Sequence, residues 1–237
     1  MLPTLEEMMQ DSARSESEIA EIIGGLDPAL DNLPNLFDEL SILILSSYRL
    51  RRKYIEQFGF IYLSINFKEE IKKVFSNIKI DEFIELGAGV GSLLKVLSDV
   101  GLVGTGITLE IPEDSKHWGM SQTQIYKYSV KQGLLNIGDM QTIFIEDPQK
   151  INLYVASWVP LEGGQEHIQF LKNNYVNRGL PLPTWHLNIN EEGGCTGDDT
   201  YWAYINEHYE VFYHFKEYRP FSGLYDRAVL YKSKSIN

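Results

Sequence analysis

The most specific spacing in this sequence is that of three glycines that follow a short β-rich run. Residues 80–86 are followed by Gly87-Ala88-Gly89-Val90-Gly91 and then by a helix-like segment. Glycines at alternate positions let the backbone turn tightly and let a ligand approach without meeting Cβ atoms. The free N–H groups at the start of the next helix favour a carboxylate or a phosphate. In an open α/β sheet such a loop lies beyond the carboxyl ends of the strands, where ligands bind.

Glycine loops of this type bind two kinds of cofactor, dinucleotides and S-adenosylmethionine. A dinucleotide site prefers G-x-G-x-x-G with Gly or Ala at the sixth position, and here that position is Ser92. The loop resembles instead the E/D-x-G-x-G-x-G loop of class I S-adenosylmethionine-dependent methyltransferases. The resemblance covers roughly residues 80–232 and implies that the chain binds S-adenosylmethionine. The cofactor-binding residues that it implies in this loop are Glu85, Gly87, Ala88, Gly89 and Gly91.

Residues further along the chain extend the resemblance. Glu110 ends a second strand at the place where such enzymes carry an acid for the ribose hydroxyls, although an NAD site wants the same residue. Asp139 follows an apolar run, where the family often places an acid near the adenine amine. The segment Ser157-Trp158-Val159-Pro160 looks like a loosened form of the family's fourth motif, which reaches the methyl acceptor. The resemblance therefore implies acceptor-facing roles for Ser157, Trp158 and Pro160, with core packing as an equal alternative for Trp158.

Two later segments are similar to a narrower group. The turn Gly193-Gly194-Cys195-Thr196-Gly197 and the segment Gly223-Leu224-Tyr225-Asp226-Arg227 resemble parts of a little-characterised, methyltransferase-like family with a GGCTG-type turn. The turn has an equally good structural explanation, because glycines supply its backbone angles and Asp198 or Thr196 caps the next helix.

A general base is needed if the methyl acceptor has a high pKa. The candidates are Glu162, His167, His117 and Asp226. We expect His167 on an exposed helix face, and we expect Cys195 to be a buried structural thiol rather than a nucleophile. The sequence shows no His, Cys and carboxylate cluster with metal-ligand spacing and no G-x-x-x-x-G-K-[ST] loop.

The elements that position these residues alternate between strand and helix from residue 80 onward. This order predicts an α/β fold with a Rossmann-like, mainly parallel sheet, flanking helices and a C-terminal antiparallel hairpin. The predicted strands are 80–86, 102–109, 152–158, 184–190, 209–217 and 227–232. The predicted helices are 36–58, 67–78, 92–100, 164–177 and 198–208.

The charge is unevenly distributed, which suggests a domain boundary. The net charge is −12 in total, and residues 1–40 alone carry −9. We expect an acidic helical leader and cap over 1–79, followed by a Rossmann-like S-adenosylmethionine-binding domain over 80–237. The basic run at 49–53 is too short to indicate nucleic-acid binding, because solvated helix faces often carry such runs.

The composition indicates a protein of reducing, cytoplasm-like surroundings. Cys195 is the only cysteine, so an intrachain disulfide is impossible. No apolar run reaches the roughly 18 residues of a membrane span, and the first residues lack the pattern of a secretion signal. We therefore expect a methyltransferase whose acceptor is unknown, with a catalytically silent S-adenosylmethionine-binding or interaction protein of the same fold as the alternative. The sequence does not indicate an oligomeric state.

Overall fold

The computed structural model describes Ile55 and residues 61–89, 91–109, 133–221 and 223–234. The predicted helix at 36–58, apart from Ile55, the acidic segment 1–40, Glu110 and His117 lie outside the described residues. The helices are α1 (Ile65–Phe75), α2 (Ser92–Asp99), α3 (Gly164–Asn174) and α4 (Asp199–His208). The strands are β1 (Glu82–Leu86), β2 (Gly104–Thr108), β3 (Leu135–Ile137), β4 (Ile151–Ser157), β5 (Trp185–Asn190), β6 (Tyr209–His214) and β7 (Arg227–Ser233).

The strands form one seven-stranded sheet in the order β3-β2-β1-β4-β5-β7-β6. Strands β1 to β5 pair in parallel, whereas β7 runs antiparallel to both β5 and β6. The predicted α/β fold class, with its mainly parallel sheet and antiparallel C-terminal hairpin, is therefore confirmed. The order reverses between β1 and β4, which makes the carboxyl ends of these two strands the topological switch point where ligands bind in open sheets.

The central strands β1, β4 and β5 are buried on both faces, as is usual in a parallel sheet. Side chains alternate along each strand, so each face has its own core. The face toward α1 and α2 includes Phe67, Ile71, Phe83, Leu93, Leu97, Leu153 and Val155. The face toward α3 and α4 includes Ile84, Leu86, Tyr154, Ile168, Leu171, Tyr201 and Ile205. The apolar run 153–156 in β4 follows from the central position of the strand, since neither face of this run meets water.

Helix α1 belongs to the first of these cores. Ser64 caps it by accepting a hydrogen bond from the Phe67 amide at 3.1 Å. The Phe67 ring then makes edge contacts with Phe215 and Tyr218, with centroid distances of 5.6 and 5.1 Å. Residues on both sides of the predicted boundary at 79/80 thus share one core, and the division into leader and domain stays a prediction.

The predicted helices and strands that fall within the described residues are confirmed to within about three residues. The largest differences are at carboxyl ends, where α1 ends at Phe75 and α3 at Asn174. A short 3₁₀ turn, Val176–Arg178, takes up the end of the predicted third helix. Within the described part of the chain, every helix is too short or too polar to traverse a bilayer.

Candidate functional site

The glycine loop connects β1 to α2 through three residues in left-handed backbone conformations. Gly87, Gly89 and Gly91 have φ angles of 68, 55 and 88°. Residues with a Cβ adopt this region only at a cost, so the alternate glycines are a backbone requirement. The Ala88 amide donates to the Ile107 carbonyl at 3.0 Å, which ties the loop to β2.

The loop presents the start of α2 without a side-chain cap. Gly91 occupies the cap position and has no side chain that could accept a hydrogen bond from the first turn of the helix. The Leu94 amide of that turn faces the Glu85 carboxylate and lowers the pKa of that group. The N–H groups of that turn have no intrahelical partner and carry the positive end of the helix dipole. The backbone of this loop therefore offers donors to an anionic group at the switch point.

Glu85 lies beneath the loop and connects two parts of the predicted site. Its carboxylate is 1% exposed, and its Oε1 accepts a hydrogen bond from Ser157 Oγ at 3.0 Å. Burial raises the pKa of Glu85 to about 8, against smaller lowering effects of the Ser157 hydroxyl and the Leu94 amide. Its other oxygen, Oε2, is buried and has no hydrogen-bond partner of normal geometry among the described residues.

The segment after β3 lies at the same carboxyl edge of the sheet as the glycine loop. Asp139 is exposed, and its carboxylate accepts a hydrogen bond from the Gln141 amide at 2.9 Å. Gln141 also donates to Glu166 of α3 at 3.1 Å. A Cβ atom added at Gly87 would lie 3.8 Å from the Cε of Met140, the residue after Asp139. The structure thus brings this segment beside the glycine loop, while the approach of Asp139 to adenine stays a prediction.

The predicted acceptor segment after β4 is held tightly to the end of β5. Trp158 has a φ of 50° and is the one non-glycine residue with positive φ among the described residues. Its amide donates to the Ile189 carbonyl at 2.9 Å. The Val159 amide donates to Asn190 Oδ1 at 2.7 Å, and Pro160 forms an isolated β-bridge with Thr196.

The Trp158 side chain is half-buried and packs against the core on the α1 side of the sheet. Asp226, buried beside it, accepts a hydrogen bond from the Tyr218 hydroxyl. Burial raises the pKa of Asp226, with Tyr218 and the Trp158 indole acting in the opposite direction. Part of the Trp158 side chain therefore packs in the core, as the alternative interpretation of this residue expects.

The two segments that resemble the narrower family meet at Glu191. Its Oε2 accepts hydrogen bonds from the Cys195 amide at 3.0 Å and from Cys195 Sγ at 3.1 Å, and its Oε1 accepts from the Tyr225 amide at 3.1 Å. A Cβ atom at Gly194 would lie 2.0 Å from Glu191 Cδ, so a side chain at this position would displace the Glu191 carboxylate. Asp198 caps α4 by accepting from the Tyr201 amide at 2.7 Å, as the sequence predicted.

Cys195 is exposed, so the prediction of a buried thiol is wrong. The reason is the glycine-rich turn, which lies on the surface and turns the thiol toward Glu191 rather than the core. Burial of part of the group and the neighbouring Glu191 carboxylate raise the pKa of the Cys195 thiol, which disfavours the nucleophilic thiolate.

His167 is buried, so the prediction of an exposed position on its helix is also wrong. It occupies the face of α3 that packs on the sheet, four residues before the buried Leu171 and seven before the buried Asn174. Its Nδ1 makes a hydrogen bond with the Tyr154 hydroxyl on β4. The helical spacing of His167 to Leu171 indicated the buried face of α3. Histidine is polar, however, and we therefore predicted an exposed position.

Of the other candidate bases, Glu162 is exposed and Asp226 is buried. Among the described residues, no group of three or more His, Cys, Asp or Glu side chains has an arrangement that would hold a metal ion.

Comparison with known proteins gives similarity at the level of the fold. No family model matches the chain, and no curated protein is detectably similar to it in sequence. An S-adenosylmethionine-dependent methyltransferase from Clostridium acetobutylicum is 11% identical, with a TM-score of 0.49 over 78% of this chain and 97% of that one. A TehB-like S-adenosylmethionine-dependent methyltransferase from Corynebacterium glutamicum is 15% identical, with a TM-score of 0.45 over 71% and 88% of the two chains. Magnesium protoporphyrin IX methyltransferase from Synechocystis, solved with bound S-adenosylmethionine, is 12% identical, with a TM-score of 0.46 over 87% and 99%.

Proposed function

We propose that this protein binds S-adenosylmethionine at the carboxyl edge of its sheet and transfers the methyl group to an acceptor. The observation that carries the proposal is the loop of three left-handed glycines, which lies at the switch point between β1 and β4 above the buried Glu85. A loop of this kind lets a ligand reach the backbone N–H groups at the start of α2.

The charges around the loop suit the amino-acid end of the cofactor. The carboxylate of the methionine moiety would meet backbone N–H groups at the start of α2, and its ammonium would lie on the side of Glu85. Because the pKa of Glu85 is about 8, the carboxyl is mostly protonated at neutral pH in the free protein. An ammonium beside it favours the ionised form, so ligand binding would release a proton from this group.

Methyl transfer from a sulfonium is an in-line displacement, for which holding the two reactants in line supplies much of the catalysis. In this proposal the acceptor approaches over Ser157, Trp158 and Pro160, and Asp139 and Glu110 contact the adenosine part. The rigid attachment of the segment after β4 to the end of β5 supports a positioning role, because its backbone is fixed by hydrogen bonds before any ligand enters.

Calorimetric titration with S-adenosylhomocysteine tests the proposal, with NAD as the competing cofactor. We expect micromolar binding of S-adenosylhomocysteine and none of NAD. Gly89→Arg is expected to abolish binding, because it adds a large side chain to the loop. Gly179→Arg is the matched control, since Gly179 also has positive φ (67°) but lies after α3 with nothing within 4 Å of an added Cβ. Binding of NAD alone would favour a dehydrogenase and contradict the proposal.

A catalytically silent S-adenosylmethionine-binding protein is the alternative. The observation that favours it is that the polar side chains at the end of β4 make internal contacts, Ser157 with Glu85 and Trp158 with Asp226. Release of S-adenosylhomocysteine with amine, hydroxyl, thiol or nucleic-acid acceptors would support the enzyme. Ligand binding without turnover across these classes would favour the silent protein.

A further inference from the structure

His167, which the sequence predicts on an exposed helix face, lies instead beside the glycine loop. A Cβ atom added at Gly87 would be 4.0 Å from His167 Nε2 and 3.8 Å from Met140 Cε. The imidazole edge therefore faces the first glycine of the loop, next to the segment after β3. No role in the resemblance described above belongs to this position.

The opposite edge of the ring is fixed by Tyr154. The Tyr154 side chain is fully buried on β4, and its hydroxyl has His167 Nδ1 as its hydrogen-bond partner. Burial raises the pKa of Tyr154 well above its ordinary value, so the phenol keeps its proton. His167 Nδ1 is the hydrogen-bond partner of this hydroxyl among the described residues, so we assign the phenol as the donor and Nδ1 as the acceptor. The ring then carries its own proton on Nε2, which is the nitrogen nearest Gly87.

The ring is a neutral donor throughout the physiological range. Burial lowers the pKa of His167 to about 3. S-adenosylmethionine carries positive charge on both its sulfonium and its ammonium, so an imidazolium beside it would be unfavourable. A neutral N–H supplies a hydrogen bond without adding a further positive charge.

We propose that His167 binds the cofactor: its Nε2–H donates a hydrogen bond to an oxygen of bound S-adenosylmethionine beside Gly87, and Tyr154 is the positioning residue that fixes the tautomer. This inference rests on the function proposed above. Met140 also lies beside Gly87 and has a flexible, unbranched side chain, which moves aside as the ligand enters. The acceptor oxygen belongs either to the methionine carboxylate or to the ribose.

The test is calorimetric titration of His167→Phe and Tyr154→Phe with S-adenosylhomocysteine and with 5′-methylthioadenosine, which lacks the amino-acid end. We expect His167→Phe to weaken binding of S-adenosylhomocysteine by about 10-fold or more, and Tyr154→Phe by a smaller factor, about 3-fold. A loss confined to S-adenosylhomocysteine assigns the bond to the carboxylate, and an equal loss for both ligands assigns it to the ribose. His214→Phe on the exposed face of β6 is the matched control and should bind as the wild type does.

A spectroscopic measurement on the wild type keeps the test independent of the folding of the variants. With ¹⁵N-labelled histidine, we expect the His167 signals of the neutral Nε2–H tautomer, and we expect the Nε2 signal to shift when S-adenosylhomocysteine saturates the protein. A purely structural histidine would not respond to the ligand. The opposite tautomer, an unchanged Nε2 signal at saturation, or wild-type affinity of His167→Phe would overturn the role of His167 alone. Failure of the wild type to bind S-adenosylhomocysteine would instead contradict the proposed function.

Discussion

Replacement of Glu85 by glutamine is expected to change how the stability of the protein depends on pH. The pKa of this buried carboxyl is about 8, compared with 4.5 for the ordinary group. Between these two values the folded protein keeps the proton on Glu85 and the unfolded chain has lost it. The folded state therefore binds more protons, and the free energy of unfolding falls as the pH rises through this interval. The contribution is fully present below the lower pKa and is lost as the pH passes the higher one.

The size of the effect follows from the difference between the two pKa values. Each pKa unit corresponds to about 1.4 kcal/mol, so the interval corresponds to at most about 5 kcal/mol. Glutamine has nearly the same shape, can accept the hydrogen bond from Ser157, and does not titrate. Near pH 4.5 we expect Glu85→Gln to differ from the wild type by a constant offset only. Toward pH 8 its relative stability should rise by several kcal/mol.

Urea unfolding followed by tryptophan fluorescence measures this difference. We would compare the wild type with Glu85→Gln and with the control Glu69→Gln at about pH 5, 6.5 and 8. Glu69 lies on the exposed face of α1. The wild type and the control should lose stability together, while Glu85→Gln loses less. Parallel pH profiles for the wild type and Glu85→Gln would refute the inference that a buried, protonated carboxyl lies beneath the glycine loop.

Two further predictions concern the loops at this edge of the sheet. Gly87→Ala should lower the free energy of unfolding by about 1–2 kcal/mol, because alanine must adopt a φ of 68° although its Cβ meets only ordinary contacts; an unchanged urea midpoint would contradict the stated backbone requirement. Glu191→Gln should lower the pKa of the Cys195 thiol, because the Glu191 carboxylate raises it. Alkylation of Cys195 by iodoacetamide should then reach its maximum rate at a lower pH than in the wild type, and an identical pH profile would contradict the contact.

Local patterns in the sequence were sufficient to predict six of the seven strands and the position of the glycine loop, but not the three-residue strand β3. The loop was recognisable because left-handed backbone needs glycine, and that requirement acts residue by residue. The strands β1 and β4 were recognisable because a strand buried on both faces is mostly apolar regardless of its neighbours. The buried Glu85 in β1 is the exception, and it belongs to the candidate site.

Contacts between distant segments were not predictable in the same way. Ser157 and Glu85 are 72 residues apart and meet only because β1 and β4 are neighbours in the sheet. The insertion of β7 between β5 and β6 is likewise a property of the assembled sheet, since a hairpin can add to a sheet by either of its strands. His167 and Cys195 were misplaced for a related reason: the buried Tyr154 gives the imidazole a partner, and Glu191 holds the thiol at the surface.

Hydrogen exchange followed by mass spectrometry, with and without saturating S-adenosylhomocysteine, tests whether the cofactor binds at the glycine loop, because it reports where the ligand binds. We predict slower exchange of the backbone amides from Gly87 to Leu97, which span the glycine loop and most of α2. Exchange in β6 and β7 should be unchanged. Unaltered exchange at the glycine loop under saturating ligand, or protection confined to another part of the sheet, would contradict the account.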